Sequence, residues 1–289
     1  MSELLGSRGE SLQAVVRHRR RVPLVIVFAM LLVGVVAACA LVGEALWPRS
    51  PDTQHLFVGV QGPSSHFWLG TDDLGRDILA RVVVGARTAV MGPVVIALGA
   101  MVLGNILGLI AGYKGGALDS AIMRWADLMY ALPGLLVAIV VVGVLGRGYW
   151  LAVLLLIFLT MPYDTRIVRG AVLERRGLPY VEAARTLGLP ARRIMARHIW
   201  PNVLPLVVAN TFLNFAFSLV VLSALSFLGL GVAPGTPDWG RMLAENRTLI
   251  FDNPAAALAP GLMIALTAAS TNLIGDWFDE WLSDRGRAR

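Results

Sequence analysis

The polar chemistry of this chain is concentrated in two places. Between Arg166 and His198 stand eight arginines against Glu174 and Glu182. Within that stretch the run GLPYVEAARTLGLPARRIMARHIWP, from Gly177 to Pro201, predicts two short helices. Pro179 suits the first turn of one, where its missing N–H would have no helical partner anyway. Gly188 suits its end as a left-handed cap. Pro190 begins a second helix, Ala191–Trp200, expected to stop before Pro201. The first helix sets the small residues Ala183 and Ala184 beside Glu182, with Arg185 next. The second sets Arg193 and Arg197 four apart on one face, with Ile194 and His198 beside them. That is the chemistry of docking, although an ordinary solvated hairpin would use the same residues. The other place holds Asp72, Asp73, Arg76 and Asp77, joined later in the chain by Asp238, Trp239 and Arg241. These side chains can meet a partner protein or organise a gate. Asp73, Arg76 and Asp77 can equally form a local ion-paired turn that fixes the start of the next helix.

Bond-making chemistry is missing. No G-x-x-x-x-G-K-[ST] exists, because Tyr113 and not glycine stands immediately before the single lysine, Lys114; ATP hydrolysis by that route is excluded. The histidines, His18, His55, His66 and His198, show no paired ligand spacing, and no metal site is expected. No G-x-S-x-G nucleophile turn is present. Arg124 and Asp127 sit one helical turn apart, where they can pair, and Asp164 and Arg166 are read at the inner end of a span. With no acid at mid-membrane, a proton relay is not indicated.

These residues must be held by membrane helices. Of 289 residues, 56% are apolar types and only 15% charged, with a mean hydropathy of +0.68. A soluble domain carries roughly a quarter charged residues. The net charge of +6 suits nucleic acid or a membrane surface, and the apolar fraction favours the membrane; no nucleic-acid partner is expected. Crossing the hydrocarbon takes ~20 apolar residues. Such runs lie at Val22–Gly43, Thr88–Tyr113, Leu128–Gly146, Gly148–Tyr163, about Val203–Leu225 and Asn253–Gly275, six in all. With the N-terminus inside, eighteen of the 25 Lys+Arg fall on cytoplasmic pieces and seven outside, so both termini are expected in the cytoplasm. Val36-Ala37-Ala38-Cys39 has the shape of a lipoprotein cleavage box, but its run is too long for a signal segment and five more spans follow; Cys39 reads as a helix residue. The expected organisation is a cytoplasmic segment 1–21, a first helix 22–46, an extracytoplasmic segment 47–87, a five-helix core 88–280 that includes an inside loop 166–201, and a cytoplasmic tail 281–289. Gly99, Gly104, Gly108 and Gly112 recur at a spacing that permits close helix packing.

Glu182-Ala183-Ala184, three residues, Gly188, nine residues, then His198-Ile199-Trp200-Pro201 resembles the EAA loop, E-A-A-x3-G-x9-I-x-L-P, of inner-membrane permeases of binding-protein-dependent ABC importers. The departures are His198 for Ile and Trp200 for Leu. Gly70-Thr71-Asp72-Asp73-Leu74-Gly75-Arg76-Asp77 is similar to the G-T-D-x-x-G-R-D signature of the dipeptide, oligopeptide and nickel group. Further ordered segments agree: Ala126-Asp127 with Ala131, Pro133 and Leu135-Leu136; Ser226 to Gly231 with Pro237-Asp238-Trp239-Gly240; and Asn272 to Asp276. The resemblance covers residues 70–280 and fits best the C-type permease subunit.

That resemblance implies an all-α polytopic membrane protein of six transmembrane helices, a type I ABC importer permease bundle with a cytoplasmic coupling-helix loop in a bacterial inner membrane. It implies a non-catalytic subunit importing dipeptides or oligopeptides beside a second, B-type permease, two ATPase subunits or domains and an extracytoplasmic binding protein. ATP and Mg would be bound by the ATPase, with no cofactor in this chain. Glu182, Ala183, Ala184, Arg185, Gly188, Arg193, Arg197, His198 and Pro201 would couple to the ATPase. Asp72, Asp73, Arg76, Asp77, Asp238 and Trp239 would serve the outer gate or the binding protein. The competing reading is a stand-alone secondary transporter or channel. It predicts internal inverted repeats, and none is convincing.

Overall fold

The computed structural model describes residues 22–46, 49–146 and 148–287. The segment 1–21, with its five arginines, and Arg147 and Arg289 lie outside the described residues. Ten α-helices order those residues: α1 Leu24–Leu46, α2 Ile78–Lys114, α3 Gly116–Tyr130, α4 Gly134–Leu145, α5 Tyr149–Arg175, α6 Pro179–Thr186, α7 Ala191–Ile194, α8 Trp200–Phe227, α9 Trp239–Asn246 and α10 Pro254–Arg287.

Five stretches are long and apolar enough to cross a membrane, and the α3–α4 pair makes a sixth if it is counted as one bent span. Their surfaces suit lipid. Along α1, among the side chains described, only Ile26, Ala29, Val36 and Gly43 are buried, while Leu24, Val25, Phe28 and Leu31 are exposed. An apolar rod with so narrow a buried stripe is untenable in water and ordinary in hydrocarbon. Cys39 packs against the core from within α1.

Four of the six apolar runs differ from the helices that form, those of α5 and α10 because the helices continue past them to Arg175 and Arg287. α2 begins at Ile78, ten residues before its run, because Asp77 caps it: the carboxylate accepts the N–H groups of Leu79 (3.0 Å) and Ala80 (3.3 Å). The third run does not form one straight rod. α3 and α4 meet at 81°. Pro133 supplies no N–H and disfavours helical backbone at the residue before it, so the chain turns there.

The centre of the bundle is α2 against α5. The glycines at four-residue spacing face α5: a Cβ on Gly104 would lie 2.5 Å from Asp164 Cβ, and one on Gly108 2.7 Å from the Thr165 carbonyl oxygen. Close approach requires glycine there. α8 and α10 pack alongside, and α6, α7 and α9 close the two ends.

Candidate functional site

At one end of the bundle, α5 runs into a compact loop. Leu178 is extended, Pro179 starts α6, and Leu187 caps it. Gly188 then takes φ +71. Its N–H donates to the Arg185 carbonyl (2.9 Å) and the Leu189 N–H to the Ala184 carbonyl (3.2 Å), the paired bonds of a Schellman cap. Val181 and Ala184 turn inward onto Val168, Val172, Ile194 and Ile199. The loop therefore shares an apolar core with the end of α5 and the start of α8.

After the corner the chain does not stop at Pro201, as the proline had suggested. α7 passes through a π-turn, Met195–Ile199, directly into α8. Pro201 cannot donate to the preceding turn, and its ring would crowd the Arg197 carbonyl in a regular α-helix. The wider turn removes that crowding. The Trp200 N–H bonds five residues back to Met195, and the Asn202 side-chain amide donates to the His198 carbonyl at 2.8 Å.

The eight arginines divide into two groups. Arg169 grips Asp119 of α3 (Nη2–Oδ2 2.7 Å), Arg166 pairs with Asp127 and lies over the Tyr130 ring, and Arg176 donates to the Gly112 carbonyl at 3.1 Å. Arg175 donates to the Ala171 carbonyl, and Arg185 lies 5.1 Å over the Tyr113 ring. Arg166, Arg169, Arg176 and Arg185 hold α5 and α6 to α2 and α3, while Arg175 bonds within α5 itself. Arg192, Arg193 and Arg197 are exposed and have no partner among the described residues. Asp127 thus binds Arg166 and not its helix neighbour Arg124, and Asp164 is not paired with Arg166.

Of the other residues singled out for docking, Glu182, Ala183 and Gly188 are exposed. Ala184 is buried in that shared core, His198 is half-buried, and Pro201 is exposed on the continuous helix. Sequence reasoning missed Leu187. It stands 80% exposed at the tip beside Glu182 and Ala183; its signal was a leucine at a helix cap, where the corner leaves no neighbour to cover it.

The opposite end holds the second cluster. Asp72 is buried. Its Oδ2 binds Arg76 Nε at 2.6 Å and lies 3.9 Å from Arg81 Nε, while its Oδ1 accepts the Leu74 and Arg76 N–H groups. Both arginines also reach Glu245 Oε2 on α9, at 3.3 and 3.4 Å. Glu245 Oε1 accepts from Arg241 Nε (3.0 Å) and the Gly235 N–H (2.9 Å). Burial raises the Glu245 carboxyl, but the Gly235 N–H, Arg241, Arg81 and Arg76 together outweigh it and hold the group below its ordinary range. Asp77, besides capping α2, pairs with Arg49 at 3.2 Å. Asp238 caps α9 through the Arg241 N–H, and burial pushes its carboxyl up despite that bond. Trp239 is fully buried, its indole donating to the Val82 carbonyl at 2.9 Å.

Of the six outer residues singled out, only Asp73 is exposed; the ion pair of the turn is made by Asp72 instead. The arrangement is a clamp tying the start of α2 to α9. Glu245 was not legible as its centre, because two of its three arginines, Arg76 and Arg81, lie more than 160 residues earlier.

The description "binding-protein-dependent transport system inner membrane component" matches residues 104–287. The glutathione transport system permease protein GsiD of Pectobacterium atrosepticum is 40% identical over 216 residues, 75% of this chain and 72% of that protein. The dipeptide transport system permease protein DppC of Alkalihalophilus pseudofirmus is 39% identical over 217 residues, 75% of this chain and 71% of that one. Inward facing conformations of the MetNI methionine ABC transporter match with a TM-score of 0.56 at 16% identity, covering 70% of this chain and 96% of that chain. The last likeness shows the fold alone.

Proposed function

The chain belongs to the binding-protein-dependent transport system inner membrane components, and from that premise we propose that its α6–α7 loop docks on an ATPase subunit in the cytoplasm. It is the permease component of an ABC importer, a multi-span membrane protein with the fold of type I importer permeases. A stand-alone transporter is set aside on that ground.

The observation that carries the docking reading is the division of the loop's side chains. Val181, Ala184, Ile194 and Ile199 are consumed in packing it onto α5 and α8. Glu182, Ala183, Leu187, Arg192, Arg193 and Arg197 are left outward, a small apolar tip ringed by unpaired charge. An apolar centre with a polar rim is the anatomy of an interface. The excess of arginine at this end supports its placement in the cytoplasm. A second permease chain completes the path, an extracytoplasmic binding protein delivers cargo, and ATP and Mg are held by the ATPase. The names of the relatives support small peptides as cargo, dipeptides and glutathione among them. The burial of Asp72, Arg76, Asp77, Asp238 and Trp239 supports a role in shaping the outer part of the path, with Asp73 left to face a partner.

Co-expression with the ATPase and the second permease, followed by affinity capture of this chain in mild detergent, tests the reading. Glu182→Lys and Leu187→Asp are expected to lose the ATPase and keep the second permease. Retention of the ATPase by both variants at the wild-type level would refute it.

A further inference from the structure

Asp164 lies deep within α5, eleven residues short of its end, and is 3% exposed. It is not at the inner end of a span, where the apolar run alone had put it, because α5 continues to Arg175. Asn210 and Asn214, one turn apart on α8 and 7% and 6% exposed, both donate their side-chain N–H groups to the same oxygen, Asp164 Oδ1; the Asn214 bond is 2.7 Å. Asp164 Oδ2 is buried without a partner. These are the only side-chain hydrogen bonds between α5 and α8 among the described residues. On the other side, the α2 backbone at Gly104 abuts Asp164 Cβ and leaves no slack.

α5 enters the α6–α7 loop and α8 leaves it. Apolar packing between them is non-directional and permits sliding. Two hydrogen bonds converging on one oxygen, where no water competes, fix both register and azimuth. We propose that Asp164, Asn210 and Asn214 form a joint that makes α5 and α8 move as one body, so that force applied to the loop reaches the far half of both helices. Asp164 is then a positioning residue of the transport cycle. The proposal rests on the reading that the loop engages the ATPase.

The test uses the assembled importer in lipid nanodiscs, with Cys39 replaced by alanine and spin labels at Leu154→Cys on α5 and Val220→Cys on α8, both exposed positions beyond the joint. Distances are measured without nucleotide and after trapping with ATP and vanadate. With Asp164 intact, the distance distribution is narrow and unchanged between the two conditions. Asp164→Leu is expected to broaden it without nucleotide and to shift it on trapping by more than about 2 Å, the scale of helix displacement in switching proteins. Asp164→Asn keeps an acceptor oxygen, and the exchanged pair Asp164→Asn with Asn214→Asp keeps the bond in reverse; both should behave as wild type, which a merely filled cavity would not achieve. A distribution in Asp164→Leu as narrow as wild type, or Asp164→Asn as broad as Asp164→Leu, overturns the joint. Failure of the docking reading is distinguished by ATPase capture on the same samples: its loss leaves the nucleotide-free comparison to decide on the joint alone.

Discussion

Replacing Glu245 with alanine should unfasten the outer clamp. Glu245 receives four donors: Arg76, Arg81, Arg241 and the Gly235 N–H. Arg76 and Arg81 are both buried, and without Glu245 they share the single carboxylate of Asp72. Breaking a buried pair by removing one partner costs about 3–5 kcal/mol, because the other charge stays buried. At about 2–4 °C per kcal/mol for a chain of this size class, the thermal midpoint should fall by roughly 6–20 °C. Glu245→Gln keeps an acceptor for Gly235 and should lose about half as much, within the 1.5–3 kcal/mol expected of a charged hydrogen bond. The control is Glu44→Ala. Its partner Arg87 is 3.7 Å away, and both side chains are largely exposed, so the loss should lie within about 0–1 kcal/mol. The assay is intrinsic tryptophan fluorescence during heating in detergent, with Trp239 as a reporter beside the clamp. Equal midpoints for Glu245→Ala and Glu44→Ala would refute the reasoning that burial makes this network matter.

Two further predictions concern the loop corner and the outer carboxylates. Gly188→Ala should cost about 1 kcal/mol from its left-handed backbone alone, since no atom lies within 4 Å of the added Cβ, and should leave ATPase capture intact. Gly188→Trp carries the same backbone strain but projects a ring into the docking face, so it should insert normally in the membrane and lose the ATPase; capture at the wild-type level would count against the face. Asp238 and Glu245 should give opposite pH signatures. Glu245, held below its ordinary 4.5, contributes stability that is present above that value and lost as pH falls through its folded value. Asp238, pushed above its ordinary 3.8, contributes stability present below 3.8 and lost as pH rises through its folded value. Asp238→Asn should therefore compare more favourably with wild type at pH 8 than at pH 4, measured by thermal midpoint; the reverse trend would sink the assignment.

What the sequence made legible was local. Pro179 and Gly188 announced α6 and its corner because a proline and a left-handed glycine act on their own backbone. The Gly104–Gly108–Gly112 spacing announced a helix contact because helical periodicity puts those residues on one face. What it hid was either a competition or a distant pairing. Pro201 argued for a stop, and the π-turn that accommodates it has no sequence mark of its own. Asp164 lay at the edge of an apolar run, so its depth depended on how far α5 continued. Arg166 had an acid two residues away and chose one 39 residues away. Arg81 and Glu245 lie in separate segments of ordinary composition, and only the folded bundle brings them together.

The uninterrupted backbone from Ala191 to Phe227 makes a single strut of 37 residues, about 55 Å long. Measured from Asn210–Asn214, and tilting together with α5, it has arms of about 30 Å toward the corner and about 22 Å toward the far end. A tilt of about 10°, modest beside the rotations seen in switching proteins, carries Ala191 about 5 Å one way and Phe227 about 4 Å the other. The two ends of a see-saw always move in opposition. Under the docking proposed above, a push on the corner is felt at the far end as a displacement of opposite sign, with no second signal.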